Sequence, residues 1–246
     1  MIDRFGVVLA AALVADATGV LPSSAGPVPA PAASPRHQQE PGRDQFRNPR
    51  DLKAYIAAQE EPGRATWQKP DEVLRALHLR PGQTACDIGA GPGYFTLRLA
   101  RSVAPGGHVF AVDVEPKILD ALRDRIGKAG PGNVTPVLGL GDDPLLPAAA
   151  CDLILVVDTY HHFRDGAAYL RRLRAALRPA GRLVNIDFHK RSTPLGPPLA
   201  HRLAREDFLR DAEAAGFELI EEPTFLENQY FLVLAPAPTR NGSPPR

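Results

Sequence analysis

The chain reads as an α/β fold in which seven strand-length apolar runs build a mostly parallel sheet closed by one antiparallel hairpin. Three observations carry this. From about Arg50 onward, apolar runs alternate with segments of helical period, the sign of βαβ units. The run Leu153–Val157 shows no polar alternation, as expected of a strand covered on both faces and therefore central. The last two runs, Phe217–Ile220 and Tyr230–Leu234, stand too close for a crossover helix and so pair antiparallel.

The elements follow in order. Val73, Leu74 and Leu77 form one helical face behind the entry Pro70-Asp71. Thr84–Ile88 is the first strand and stops at glycines; His108–Val112 is the second. Ile118, Leu119, Leu122 and Ile126 give the next helix its buried stripe. Val134–Leu138 is a short third strand and Leu153–Val157 the fourth. Leu170, Leu173 and Leu177 form a helical face ended by Pro179 and Gly181, and Arg182–Ile186 is the fifth strand. Phe208, Ala212 and Ala215 mark a last helix before the terminal hairpin.

Residues 51–236 are the expected folded domain, followed by a disordered tail at 237–246. Ahead of it, 26–50 is dense in Pro, Ala and Ser, later in Arg and Gln, and reads as a disordered linker. Residues 1–25 are a leader: one basic residue, Arg4, precedes the apolar run Phe5–Ala15, which has the length of a secretory signal. Asp16 ends that run, so a membrane-spanning helix of about 20 apolar residues is excluded. With 29 basic against 28 acidic residues the formal charge is +1, which gives no grip on phosphate backbones. Nucleic acid is not an expected partner, and the oligomeric state cannot be read.

Cys86 and Cys151 are the two cysteines. One lies near the carboxyl end of its strand and the other at the amino start of its neighbour, so the expectation is an offset of several residues and two free thiols; a disulfide needs Cα atoms within about 7 Å.

The chemistry-bearing stretch is Asp87-Ile88-Gly89-Ala90-Gly91-Pro92-Gly93-Tyr94. Glycines at a strand-to-helix turn let backbone approach a ligand where a Cβ would clash, and the helix start presents N–H groups. A dinucleotide fingerprint calls for glycine where Tyr94 stands. The pattern Gly-x-Gly-x-Gly behind an acid resembles the first motif of the class I S-adenosylmethionine-dependent methyltransferases. That resemblance implies a Rossmann-like seven-stranded methyltransferase sheet and S-adenosyl-L-methionine as cofactor. It assigns Gly89, Gly91 and Gly93 to the methionine part and Asp87 to its ammonium group. It implies that Asp113, ending the second strand, accepts from the ribose hydroxyls. Asp142, in Gly141-Asp142-Asp143-Pro144, takes the adenine amino group. Asp158-Thr159-Tyr160-His161-His162-Phe163 matches the family's fourth motif, with Asp158 on the cofactor. The likeness covers about Gln59 to Leu234 and runs to the ubiquinone- and menaquinone-biosynthesis branch; substrate does not transfer with fold.

Two flanking segments complete the expected pocket. Arg64-Ala65-Thr66-Trp67-Gln68 precedes the core, with Trp67 either a lid or a staple for the next helix. Leu195–Arg202 is either an acceptor-contacting loop or a rigid connector. His161, His162, His189 and Asp187 lie near strand ends, but dedicated metal-ligand spacings are lacking, so no metal is expected. His162 reads as a packed histidine. The implied reaction is transfer of a methyl group to a small-molecule acceptor, with His161 or Tyr160 as base where the acceptor must lose a proton. A non-catalytic cofactor-binding protein and, further off, an NAD-dependent oxidoreductase are the alternatives. The compartment stays open: the leader resembles a secretory signal, whereas supply of the cofactor favours the cytoplasm.

Overall fold

The structure, a computed structural model, describes residues 51–238. The leader at 1–25, the linker at 26–50 and the tail from 239 onward lie outside the described residues. Three short helices come first: α1 (Leu52–Gln59), α2 (Arg64–Gln68) and α3 (Pro70–Ala76). Asp51 caps α1 by accepting from the Ala54 N–H at 2.9 Å, and Pro70 opens α3 where its missing N–H is not needed. The sheet then builds through β1 (Thr84–Ile88), α4 (Thr96–Ser102), β2 (His108–Asp113), α5 (Pro116–Ala129), β3 (Val134–Leu138) and β4 (Cys151–Val157). A 3-10 turn at Tyr160–His162 leads into α6 (Gly166–Ala176), β5 (Leu177–Phe188), α7 (Arg205–Ala214), β6 (Phe217–Glu221) and β7 (Gln229–Pro236).

The seven strands lie in the order β3-β2-β1-β4-β5-β7-β6. β3 to β5 run parallel, and β7 pairs antiparallel with both β5 and β6. The sheet is the one expected. β1 has β2 on one side and β4 on the other, so the direction in which strands are added reverses there and the strand ends open a crevice between the β1 and β4 loops. Apolar layers cover both faces. Cys86, Ile88, Ile154, Val156 and Leu183 pack under α6 and α7, while Ala85, Leu153, Leu155 and Val184 pack against α3 and α4.

Two expectations are corrected. Leu177 opens β5 rather than extending the helix, which ends at Ala176. The cysteines are not free: Cys86 and Cys151 form a disulfide with Cα atoms 6.1 Å apart. The reason is a register shift between Cys151 and Leu153 at the start of β4. Strict alternation would place Cys151 on the face of Leu153 and Leu155. With the register broken there, Cys151 instead lies in the layer of Cys86 and Ile154.

Candidate active site

The glycine turn sits at the crevice. Gly89 and Ala90 both donate to the Val112 carbonyl, at 2.8 and 3.0 Å, which folds the turn over the end of β2. Gly89 has φ +71°, and a Cβ there would come within 2.2 Å of the Thr159 side chain, so glycine lets the β1 and β4 loops touch. Gly91, at φ +55°, is different: a Cβ would meet nothing within 4 Å, because the residue faces an open cleft. A Cβ at Gly93 would strike Leu122 at 2.5 Å, so that glycine serves helix packing.

The cleft measures about 420 Å³ including its mouth. Asp87, Gly89, Gly91 and Asp158 line it together with Tyr55 and Arg64. Asp87 is buried and accepts from the Thr96 hydroxyl at 2.6 Å. Burial pushes its carboxyl up to about 6, against the Thr96 hydrogen bond. Asp113 lies at the end of β2 beside the glycine turn. Its Oδ2 accepts from the Gly91 N–H at 2.9 Å and its Oδ1 from the Glu115 N–H at 3.0 Å. Its carboxyl is raised, by burial first. Asp142 is exposed and stands apart from the cleft, while its neighbour Asp143 pairs with Arg172 at 2.5 Å.

Asp158 occupies the left-handed region at φ +51°, a conformation that a non-glycine residue adopts at a cost. It is held there by its N–H, which donates to the Ile186 carbonyl at 2.9 Å, and by its Oδ1, which accepts from Gln229 at 2.7 Å. Gln68 donates to the Gln229 side chain at 2.8 Å, and Arg64 donates to Gln68 at 3.4 Å. A buried polar relay thus joins the helix before the sheet to the loop after β4. Burial, then the Asp187 carboxylate, push Asp158 up to about 7.

His161 follows on the 3-10 turn, buried, with Nδ1 2.9 Å from Oδ2 of the fully buried Asp187 on β5. Burial alone would lower the imidazole pKa; the Asp187 charge and hydrogen bond, with Asp158 adding, outweigh it and raise the pKa. Asp187 sets the tautomer: the proton sits on Nδ1 and the lone pair on Nε2. Tyr160 points elsewhere. Its ring is buried against Phe163 and Phe208, and its hydroxyl donates to Asp211 at 2.7 Å, so it is part of the packing beneath α7. His162 is not packed inside as expected but exposed, its ring centre 4.2 Å from that of His161. Trp67 stacks obliquely on Phe188 at 5.6 Å and does not line the cleft. The loop after β5 is a braced connector: buried Arg202 donates to the carbonyls of Pro197, His189, Arg191 and Leu195 and to the Thr193 hydroxyl.

Asp87, Gly89, Gly91 and Asp158 are therefore brought together; Asp113 and His161 flank the cleft; Gly93, Asp142 and Tyr160 lie off it. Arg64 and Gln68 lie in the segment expected to complete the pocket, where only Trp67 was given a role; Gln229 and the orienting role of Asp187 were not singled out in the sequence. An Arg and a Gln four apart on one short helix was the available signal for the first two.

Comparison with known proteins agrees with the fold. The family described as a methyltransferase domain matches residues 85–181. The ubiquinone/menaquinone biosynthesis C-methyltransferase UbiE of Vibrio vulnificus is 32% identical over 122 residues, 49% of this chain and 46% of that protein. Nocamycin O-methyltransferase of Saccharothrix syringae is 34% identical over 111 residues, 45% of this chain and 40% of that protein. The chain thus spans less than half the length of these relatives. A SAM-dependent methyltransferase from Aquifex aeolicus superposes with a TM-score of 0.70 at 24% identity, over 74% of this chain and 96% of that one.

Proposed function

Residues 85–181 belong to the class I S-adenosylmethionine-dependent methyltransferases, and from that premise we propose that the protein binds S-adenosyl-L-methionine in the cleft at the glycine turn and methylates a small-molecule acceptor. One observation carries the reading: the glycine turn, two raised carboxylates and an Asp-oriented histidine all converge at the reversal point of the sheet. The residues fit the donor. Gly91 leaves open the space that a Cβ would fill, and Asp87 and Asp158 line the cleft with acidic groups, suited to a ligand that is cationic at its amino group and its sulfur.

S-adenosylmethionine supplies a methyl carbon on a sulfonium, already activated, and the bonding pair stays on sulfur when the acceptor takes the methyl group. The protein's own work is alignment, exclusion of water and acceptance of one proton. Nε2 of His161 takes the proton from the acceptor's attacking atom, and Asp187 stabilises the resulting imidazolium. Asp158, close enough to help raise the His161 pKa, adds negative charge on the same side.

The test begins with thermal denaturation: S-adenosylhomocysteine is expected to raise the melting temperature and NADH to leave it unchanged. With an acceptor identified from phenols, amines and quinol-like compounds, His161→Ala should keep S-adenosylhomocysteine affinity and lose roughly 10² to 10⁴ in turnover. Wild-type turnover should rise with pH through a pKa above 6.5, since the base acts only when neutral. Binding without turnover against every acceptor class would favour a cofactor-binding protein without catalysis.

A further inference from the structure

Arg125, in the second half of α5, joins two segments that line the cleft. Its Nη1 donates to the Pro92 carbonyl inside the glycine turn at 2.7 Å and pairs with Glu60, the residue that ends α1, at 2.8 Å. The turn brings Gly89 and Gly91 to the cleft, and α1 brings Tyr55 and Gln59. A single guanidinium nitrogen therefore links the two segments directly.

The helix needs such a link. It buries none of its residues, and at 8 residues it is too short to hold its form alone in water. With no apolar face to dock, α1 is attached by polar contacts: Glu60 pairs with Arg125, and Gln59 accepts from Arg64. Its Tyr55 is half-buried at the cleft, where burial first and then the Asp113 charge push the phenol up. A segment with so little buried apolar contact belongs to the low end of local stability and opens readily unless something latches it.

We propose that Arg125 is a positioning residue for the donor: by holding α1 to the glycine turn through Glu60, it keeps the cleft closed around the bound ligand and slows its release. This rests on the donor reading above. An arginine that served the turn alone would satisfy the Pro92 carbonyl and leave the ligand's kinetics untouched. The side chains of Arg125 and Glu60 are 33% and 38% exposed, so solvent screens the pair and its effect is modest.

Surface plasmon resonance on the immobilised full chain, with S-adenosylhomocysteine as the probe, reads the release rate. Glu60→Ala removes the latch and leaves the contact of Arg125 with Pro92 in place. It is expected to release the ligand about two- to fivefold faster, the span for one exposed ion pair, with the melting temperature of the unliganded protein little changed. At about 1 M salt, where the Debye length is about 3 Å, most of that gap should close. Hydrogen exchange at 52–59 without ligand should be faster in Glu60→Ala, with β1 and β4 as protected as before. Arg125→Met, which loses both contacts, should release at least as fast as Glu60→Ala, and adding Glu60→Ala to it should change nothing further. Should Arg125→Met unfold, the release rate and exchange of Glu60→Ala carry the test. Wild-type release or wild-type exchange at 52–59 in Glu60→Ala, or additive effects in the double variant, would overturn the latch and leave the donor reading intact. A wild type that binds no S-adenosylhomocysteine overturns both.

Discussion

Reduction of the Cys86–Cys151 bond tests the most consequential local feature of the sheet. The bridge closes a segment with a sequence separation of 65, which contains β2, α5 and β3 and hence the half of the sheet that carries Asp113. In the chain-entropy account, a cross-link over that length removes roughly 14 cal/mol/K from the unfolded ensemble, or about 4 kcal/mol at 25 °C. Spread over a domain of this size, 4 kcal/mol corresponds to a fall of about 10 °C in melting temperature. The assay is paired: thiol titration of the protein denatured without reductant, and urea unfolding with and without reductant. No free thiols, and a midpoint that drops on reduction, are expected. Both sulfurs lie in a fully buried layer, so reductant should act on the unfolded chain and not on the native protein. Two titratable thiols in the unreduced, denatured protein would refute the pairing, and an unchanged midpoint would refute the magnitude.

Two further outcomes are expected. Asp158 has a folded-state pKa of about 7 against an ordinary carboxylate value near 4, so the native state binds more protons between those limits and the charged side chain costs stability as pH rises through them. Asp158→Asn, which can still accept from Gln229, should therefore melt higher than wild type at pH 8 and converge with it toward pH 4. The shift alone would give about 4 kcal/mol, but with the side chain 23% exposed a gain of about 1–2 kcal/mol is expected; equal melting curves at pH 8 would remove the carboxylate's cost. Arg202→Met should cost about 2–3 kcal/mol, because five acceptors in the loop after β5 lose one charged donor. Hydrogen exchange at 189–201 should speed up while β4 and β5 stay protected, and uniform exchange changes would contradict a local brace.

Much of the fold was legible because its signals are local. The strands Thr84–Ile88 and Val134–Leu138 were bounded as they stand, since glycine, proline and polar residues punctuate them and apolar side chains fill them. The stripe of Ile118, Leu119 and Leu122 faces the core as its spacing requires. Leu177 failed for an instructive reason. It continues the helical period of Leu170 and Leu173, yet an apolar residue at a helix-strand junction suits either element, and pairing of Leu177 with Cys151 takes it into the sheet. The disulfide was hidden by the same piece of backbone. The pairing breaks register at the start of β4, where Cys151 stands opposite Leu177 but Leu153 opposite Arg182, and alternation read from sequence assumes an unbroken strand.

The site divides along the same line. Asp87, at the end of β1, and Gly89, Gly91 and Asp158, in the loops after adjacent strands, belong to two contiguous stretches that each carry a motif, so reading either stretch alone finds them. Arg64, Gln68 and Gln229 have no motif, because what makes them matter is sheet order. β7 enters between β5 and β6, which sets Gln229 opposite Phe188 at the open end of the sheet. From there its amide reaches Asp158, 71 residues away in sequence, and accepts from Gln68, 161 residues away. Had the terminal hairpin been added in sequence order, with β6 beside β5, Gln229 would lie one strand further out and the strained φ of Asp158 would lose its side-chain anchor. The antiparallel hairpin is therefore more than an edge closure: its inserted strand helps to hold in place the acid that faces both the cleft and His161.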